Sequence, residues 1–431
     1  MQRRIMATAV LGAVLALAAC GGDTDTGADG ATSEEDQTLT LWLMGGDTPD
    51  ELRDYLTETF AEETGAELVI EEQDWADAVT KLTTALPDAS TTPDVTEIGN
   101  TWASTFTGVG AFSDLSDVYE ELGGDNLLPS FVSAGDVDGA HYALPYYFGS
   151  RLIWYRKDVW QEAGLEVPTT LVEFNETVAQ LRTEDRSGFY IGGEDWRNGI
   201  SWVFANGGEL AVQDGDQWVS ALSDPATQEG LRQFQELFTT ASNAPVTESD
   251  STPWVNINNN DDGVPEAATI IAPGWAYWSI GLPSEADPDT LEWDDETFGV
   301  FALPGTEEGT LAPVFAGGSN IAISAASEKQ ELARELLRIV FSDEYQTMLA
   351  SNGLGPANVE HVDAFVELNP TVNEPAAEAA LASKLTPAAP GWAAVEGATL
   401  LEELFGRVAA GEDVAALAAE YDEQLTALLN G

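Results

Sequence analysis

Between Thr38 and Trp102 the apolar pattern of the chain changes period again and again. Thr38-Leu39-Thr40-Leu41-Trp42-Leu43 alternates and reads as a strand. Gly45-Gly46-Asp47 breaks it. Thr48-Pro49-Asp50-Glu51 then opens a helix, with Thr48 as N-cap, Pro49 in the first turn and Glu51 closing a capping box. Leu52, Tyr55, Leu56 and Phe60 give its buried face, and Gly65 ends it. Glu67-Leu68-Val69-Ile70 is a second strand. A second helix follows Asp74, with Trp75, Val79, Leu82 and Leu86 on one side. Pro93-Asp94-Val95-Thr96-Glu97-Ile98 is a third strand and runs straight into Gly99-Asn100-Thr101-Trp102. Strand, helix, strand, helix, strand restricts the chain to an α/β fold, a parallel sheet with helices on its faces.

The same alternation continues less regularly. Leu152-Ile153-Trp154-Tyr155 reads as a buried strand, followed by a short helix from Lys157 to Gly164. Thr170 and Glu173 cap another helix, and Asp224-Pro225 starts one whose core face is Leu231, Phe234, Leu237 and Phe238. The polar stretch from Thr247 to Asp262 reads as a surface loop. Phe298-Gly299-Val300-Phe301 and Val314 to Ile323 are further strands, the latter broken by Gly317-Gly318. Ser327-Glu328-Lys329-Gln330 is a capping box, and residues about 396–409 and 412–430 are alanine- and leucine-rich helices. The length suits two domains.

The first residues do not belong to that body. Arg3-Arg4 precede an apolar run from Ile5 to Leu17 and the small residues Ala18-Ala19, the layout of a secretory signal. The run is shorter than the ~20 residues of a membrane span. Leu17-Ala18-Ala19-Cys20 followed by Gly21-Gly22 resembles the lipobox of bacterial lipoproteins, which implies acylation of Cys20 and removal of residues 1–19. Cys20 is the only cysteine, so no intramolecular disulfide forms. Residues 20–37 are polar, acidic and Gly-rich without apolar periodicity, and read as a tether. The formal net charge is −59, with every acidic residue after Gly22. Such a surface repels nucleic acid and anionic membrane.

Several motifs together resemble the bacterial extracellular solute-binding proteins of the carbohydrate class, the lipoprotein receptors of ABC importers. They are Ile98-Gly-Asn-Thr-Trp102, Gly110-Ala-Phe-Ser-Asp-Leu115, Leu144-Pro-Tyr-Tyr-Phe-Gly-Ser-Arg151, Ala312-Pro-Val-Phe-Ala-Gly-Gly-Ser-Asn320 and Asn352-Gly-Leu-Gly-Pro-Ala-Asn358. Their order covers nearly the whole chain after the tether. Within the family, the Gly-Asn-Thr, Gly-Ser-Arg and Phe-Ala-Gly-Gly-Ser segments look closest to an actinobacterial group that includes receptors for N,N'-diacetylchitobiose and related oligosaccharides. The resemblance implies a two-lobe periplasmic-binding-protein type II fold, each lobe a mostly parallel sheet flanked by helices, with the ligand cleft between lobes. It places the N-terminal lobe at 38–147 plus 297–346 and the C-terminal lobe at 148–296 plus 347–431. It further implies an oligosaccharide ligand, ABC permease subunits as partners, a monomer, and a lipid-anchored position on the extracellular face of the cytoplasmic membrane. No cofactor is expected.

A sugar site needs flat rings for the C–H faces of the ligand and fixed polar groups for its hydroxyl edges. In open α/β sheets such groups lie at the carboxyl ends of strands. Asp47, Asn100 and Trp102 sit there, although Asp47 reads equally as a turn residue and Asn100 and Trp102 have core packing as their alternative. Tyr146, Tyr147 and Arg151 lie at the first crossover between lobes, with Arg151 equally suited to an interlobe salt bridge. Glu194 and Trp196 follow Gly192-Gly193, where a backbone can approach a ligand closely. Trp275 matches the stacking aromatic that the family places at a Gly-Trp, and Trp278 is one turn on. Ser319 and Asn320 follow a glycine pair. Trp392 matches a cleft tryptophan of distant relatives, with core packing as its alternative. His141 and His361 stand alone, so no metal site is expected.

No sequence pattern picks out a glycosidase carboxyl pair, a phosphate-binding loop or a nucleophile elbow. A binding module is therefore the first expectation. A lipid-anchored glycoside hydrolase and a receptor for a non-sugar solute such as a polyamine are the alternatives.

Overall fold

The computed structural model describes residues 38–431 apart from 216, 250, 251, 285, 288 and 289. Cys20, the signal segment 1–19 and the tether at 20–37 lie outside the described residues.

The opening alternation becomes β1 (Thr38–Met44), α1 (Asp50–Thr64), β2 (Glu67–Gln73), α2 (Trp75–Ala85), β3 (Val95–Gly99) and α3 (Asn100–Gly108). β1 pairs parallel with both β2 and β3. Its period-two pattern sends Leu39, Leu41 and Leu43 to one face, against Leu56, Phe60, Leu336 and Tyr345. Met44 goes to the other, against Leu82, Ile98 and Phe106. Gly65 ends α1 at φ 73°, a left-handed residue that returns its N–H to Ala61. The Thr48 cap does not form. The Thr48 hydroxyl lies 3.0 Å from the Tyr146 hydroxyl instead, and no side chain caps α1.

One strand joins the two halves of the molecule. β4 (Ala143–Arg156) is 14 residues long and buried almost throughout. Later strands are β5 (Thr269–Pro273), β6 (Phe298–Phe301), β7 (Ala316–Ile323) and the short β8 (Gly355–Pro356). The path β6-β4-β7-β3-β1-β2 is continuous, with β5 and β8 also paired to β4. Residues 143–150 of β4 face β7, and residues 151–156 face β5 and β6.

Two expectations change here. The parallel character is confined to β1, β2 and β3. The ladders of β4 with β5, β6 and β7 are antiparallel, and parallel contact among the described residues of the second half is limited to the bridges Ser187–Ala267, Tyr190–Ile270 and Phe315–Lys384. The expected boundaries at 297 and 346 also move. Phe298 pairs with Arg156 and Phe301 with Ile153, so β6 lies in the second half. Residue 346 falls inside the helix Asp343–Ser351, whose Tyr345 and Leu349 pack with the first half. The chain crosses between halves at Phe148–Arg151, again where β7 begins, and again at β8.

The second half is built around Trp154, Trp160, Phe174, Trp202, Phe234 and Phe405, all buried in one core. The stretch expected to be a surface loop contains a one-turn helix, Trp254–Ile257.

Candidate functional site

Where β4 crosses, a cavity of ≈ 780 Å³ opens between the halves. Its first wall comes from the carboxyl ends of β1 and β2. Gly45 turns the chain at φ 57°, and a side chain there would collide with the Trp75 ring at 2.9 Å. That close approach brings Asp47 to Trp75. Asp47 Oδ2 accepts from Trp75 Nε1 at 3.0 Å and from the Tyr147 hydroxyl at 2.9 Å. Among the described residues no donor reaches Oδ1, which can accept from a ligand hydroxyl. Burial, with the carboxylates of Glu97 and Asp47 close by, keeps the Tyr147 phenol protonated and pushes its pKa up.

The second wall is aromatic. After β5, Pro273 leads into a tight helical turn, Gly274–Ser279, that carries Trp275 and Trp278. Trp275 is 54% exposed and Trp278 75% exposed, large apolar surfaces left in water. Trp254 stands edge-on to Trp275 with ring centroids 4.8 Å apart. Arg151 completes the wall: its Nε donates to Asn198 Oδ1 at 2.7 Å, and its guanidinium sits 4.5 Å from the Phe315 ring centroid. Gly149, Gly317 and Gly318 form the crossing between the walls. Gly318 takes φ 132°, and a Cβ there would lie 2.3 Å from the Tyr147 carbonyl.

A model of the bacterial extracellular solute-binding proteins matches residues 56–379. The chain belongs to that family. It is 36% identical over 413 residues to the diacetylchitobiose binding protein DasA of Streptomyces coelicolor, covering 92% of this chain and 91% of the relative. The fold is shared with the sugar-binding protein MalE of Xanthomonas citri, at TM-score 0.74 and 21% identity over 91% of this chain and 97% of that one. It is shared also with the cyclic alpha-maltosyl-1,6-maltose binding protein of Arthrobacter globiformis, at TM-score 0.72 and 18% identity over 91% and 98%. These neighbours have the two-lobe type II periplasmic-binding fold, and the two walls of this solute-binding protein are its two lobes.

Of the residues singled out from sequence, Asp47, Tyr147, Arg151, Trp275 and Trp278 line the cavity. The others do not. Asn100 is buried and donates to the Ala316 carbonyl at 3.0 Å, pinning α3 to β7. Trp102 stands behind Trp75, centroids 5.6 Å apart, and donates to Glu396 at 3.2 Å. Tyr146 is fully buried, its hydroxyl 2.6 Å from that of Tyr345. Ser319 and Asn320 lie under the glycine pair, fully buried, and Asn320 donates to the carbonyls of Phe131 and Ala143.

Gly192 and Gly193 serve close packing rather than ligand approach. A Cβ on either would meet the carbonyls of Glu248 and Val246 at 2.2 and 2.3 Å. Glu194 therefore packs beside Gly406, away from the cavity. Trp196 and Trp392 are buried against each other, centroids 6.1 Å apart, with their Nε1 donors on Glu402 and Glu396.

Sequence reasoning missed Trp75, Trp254, Asn198 and Phe315 as cavity residues. Trp75 fitted the apolar stripe of α2, yet it follows β2 directly, and the strand-end rule applied to Asp47 would have found it. Trp254 was hidden in a polar stretch, where an isolated indole was itself the signal.

Beneath the first wall lies Glu97, fully buried on β3. Its Oε2 accepts from the Met44 N–H at 2.8 Å, while Oε1 has no hydrogen-bond partner among the described residues. Burial lifts its carboxyl to about 7, helped by the nearby Asp47 charge and opposed by the Met44 N–H.

Proposed function

We propose that this solute-binding protein is the oligosaccharide receptor of an ABC importer, a monomer anchored through an acylated Cys20 on the extracellular face of the cytoplasmic membrane. It captures the sugar and delivers it to the permease subunits. One observation carries the reading: Trp75, Trp254, Trp275 and Trp278 all line a cavity of ≈ 780 Å³ between two lobes, with Asp47 and Arg151 among them. Indole faces suit pyranose C–H faces, and the polar groups suit hydroxyl edges. A ligand touching both walls stabilises the closed arrangement of the lobes over the open one, with the crossovers as hinge.

The relative DasA supports a chitobiose-like ligand. Among the described residues lining the cavity, Asp47 is the one carboxylate and Arg151 the one cation. A polyamine would want several carboxylates and no guanidinium. A glycosidase would want a second carboxyl across the scissile bond.

Titration calorimetry of the purified protein with N,N'-diacetylchitobiose, maltose and spermidine tests the proposal. A saturable response to a sugar and none to spermidine is the expected result. Release of monosaccharide on prolonged incubation would remove the receptor reading.

A further inference from the structure

We propose that Glu97 is a positioning residue for sugar capture: neutral, it leaves the Tyr147 hydroxyl to Asp47, and ionised, it competes for that hydroxyl and loosens the first wall of the cleft. The inference rests on the carbohydrate reading of the cleft and adds to it a proton that governs the strength of the grip.

Three strands bring the groups together. Glu97 of β3 lies across from Ile321 of β7, so Ser319, two residues along β7, projects from the same face of the sheet. Tyr147 of β4 lies across from Ser319 on its other side. All three side chains are buried. Oε2 of Glu97 is held by the Met44 N–H, just before the turn that carries Asp47. Among the described residues, neither Glu97 Oε1 nor Ser319 Oγ has a hydrogen-bond partner. A buried polar atom left so is costly, and a proton on Oε1 that is donated to Ser319 Oγ serves both.

Without that proton the carboxylate needs further donors, and those facing it are the hydroxyls of Ser319 and Tyr147. The Tyr147 hydroxyl is already donated to Asp47 Oδ2 at 2.9 Å. Two carboxylates thus face one phenol, which has one proton to give. Among the described residues no cation settles the contest. Arg53 of α1 approaches the cluster, but its Nε and Nη2 donate to the carbonyls of Thr48 and Gly45 at 2.7 and 3.0 Å, and its Nη1 to Glu72 at 2.9 Å. The other titratable groups around Glu97 are Tyr146 of β4 and Tyr345 of the helix Asp343–Ser351, hydrogen-bonded to each other. Burial holds all three phenols above their ordinary range, so they stay protonated. Glu97, lifted to about 7, gains and loses its proton near neutrality.

A sugar on the first wall biases this contest. It displaces water from Asp47 and Tyr147, and in the drier site the charges of Asp47 and an ionised Glu97 repel more strongly. The complex therefore favours neutral Glu97, and by reciprocity the proton on Glu97 favours the complex. Affinity is highest below about pH 7 and falls as pH rises through that value. Capture near neutrality takes up a proton.

Calorimetry of the purified protein with N,N'-diacetylchitobiose and maltose decides, run from about pH 5.5 to about pH 9 in buffers of different ionisation enthalpy. The sugar that binds should be held about fivefold or more weakly at the upper pH than at the lower, with net proton uptake near neutrality. Glu97→Gln keeps an acceptor for the Met44 N–H and a donor for Ser319. Its affinity should stay within about twofold across the range, and the uptake should vanish. A pH effect arising at His141 or His361 would survive in that variant. Tyr147→Phe removes the contested hydroxyl, so it should weaken binding and at least halve the pH effect. A merely structural Glu97 would move the thermal midpoint and leave proton uptake as it was. If Glu97→Gln does not fold, the parent's uptake and Tyr147→Phe still decide. A flat profile in the parent, or the parental slope in either variant, would overturn the role of Glu97 and leave the carbohydrate reading standing. If neither sugar binds at any pH, the carbohydrate reading fails and the inference fails with it.

Discussion

The two walls of the cleft are built on opposite principles. On the first lobe, Asp47, Trp75 and Tyr147 are tied together through a single carboxylate oxygen. Trp102 stands behind the Trp75 ring and is itself tied to Glu396. That wall is finished before any ligand arrives. On the second lobe, Trp254, Trp275 and Trp278 touch other rings, and among the described residues none of their Nε1 donors has an acceptor. That wall offers surface and leaves the choice of contact to the ligand. A prebuilt polar wall fixes orientation at little entropic cost, while an exposed aromatic wall supplies the apolar burial.

The sharpest way to break this contrast is Trp275→Ala. Loss of a central stacking indole should weaken sugar binding at least a thousandfold, about 4 kcal/mol, with the circular dichroism spectrum unchanged. A loss below tenfold would mean that the second wall does not carry the apolar contact.

Beneath the first wall, Glu97 should show itself in stability. Its folded-state pKa of about 7 is raised above the ordinary 4.5, so the folded chain holds this proton more tightly than the unfolded one. The contribution is therefore complete below about pH 4.5 and is lost as pH rises through about 7, some 3 kcal/mol in all. Denaturant unfolding at a series of pH values should show that fall in the parent protein and a flatter profile in Glu97→Gln, which keeps an acceptor for the Met44 N–H. Parallel profiles would exclude the assignment.

Asp47→Ala removes the shared acceptor and frees both Trp75 and Tyr147. A loss of about thirtyfold in sugar affinity, about 2 kcal/mol, is expected by calorimetry. If the effect matches that of Trp275→Ala, the two walls are not as different as their bonding suggests. Trp102→Phe should do least. The ring that supports Trp75 is kept and only the bond to Glu396 is lost, so affinity should change less than threefold. A larger effect would place Trp102 among the binding residues after all.

How far the sequence revealed this arrangement depended on whether a residue announced itself locally. The β1 to β3 alternation was legible because each element has its own period and its own stop, such as Gly65. The long β4 was not. Pro145 and Gly149 interrupt its pattern, and its antiparallel partners lie more than a hundred residues away, so only the piece from Leu152 to Tyr155 read as a strand. The cavity residues that were found sit at strand ends or glycine breaks. Trp196 was misplaced because its partner Glu402 comes from a helix near the end of the chain, and Trp392 because a glutamate one turn on, Glu396, is as common beside an exposed indole as beside a buried one.

The 14-residue strand β4 has a consequence for how the gene can be cut. Severing the chain near Gly149 would split that strand and part β1, β2 and β3 from β7, which joins them to the rest of the sheet. Neither lobe is thus an autonomous cassette that shuffling or truncation could lift out intact. Swapping ligand preferences between relatives has to proceed side chain by side chain along the two walls, with the shared axle left whole.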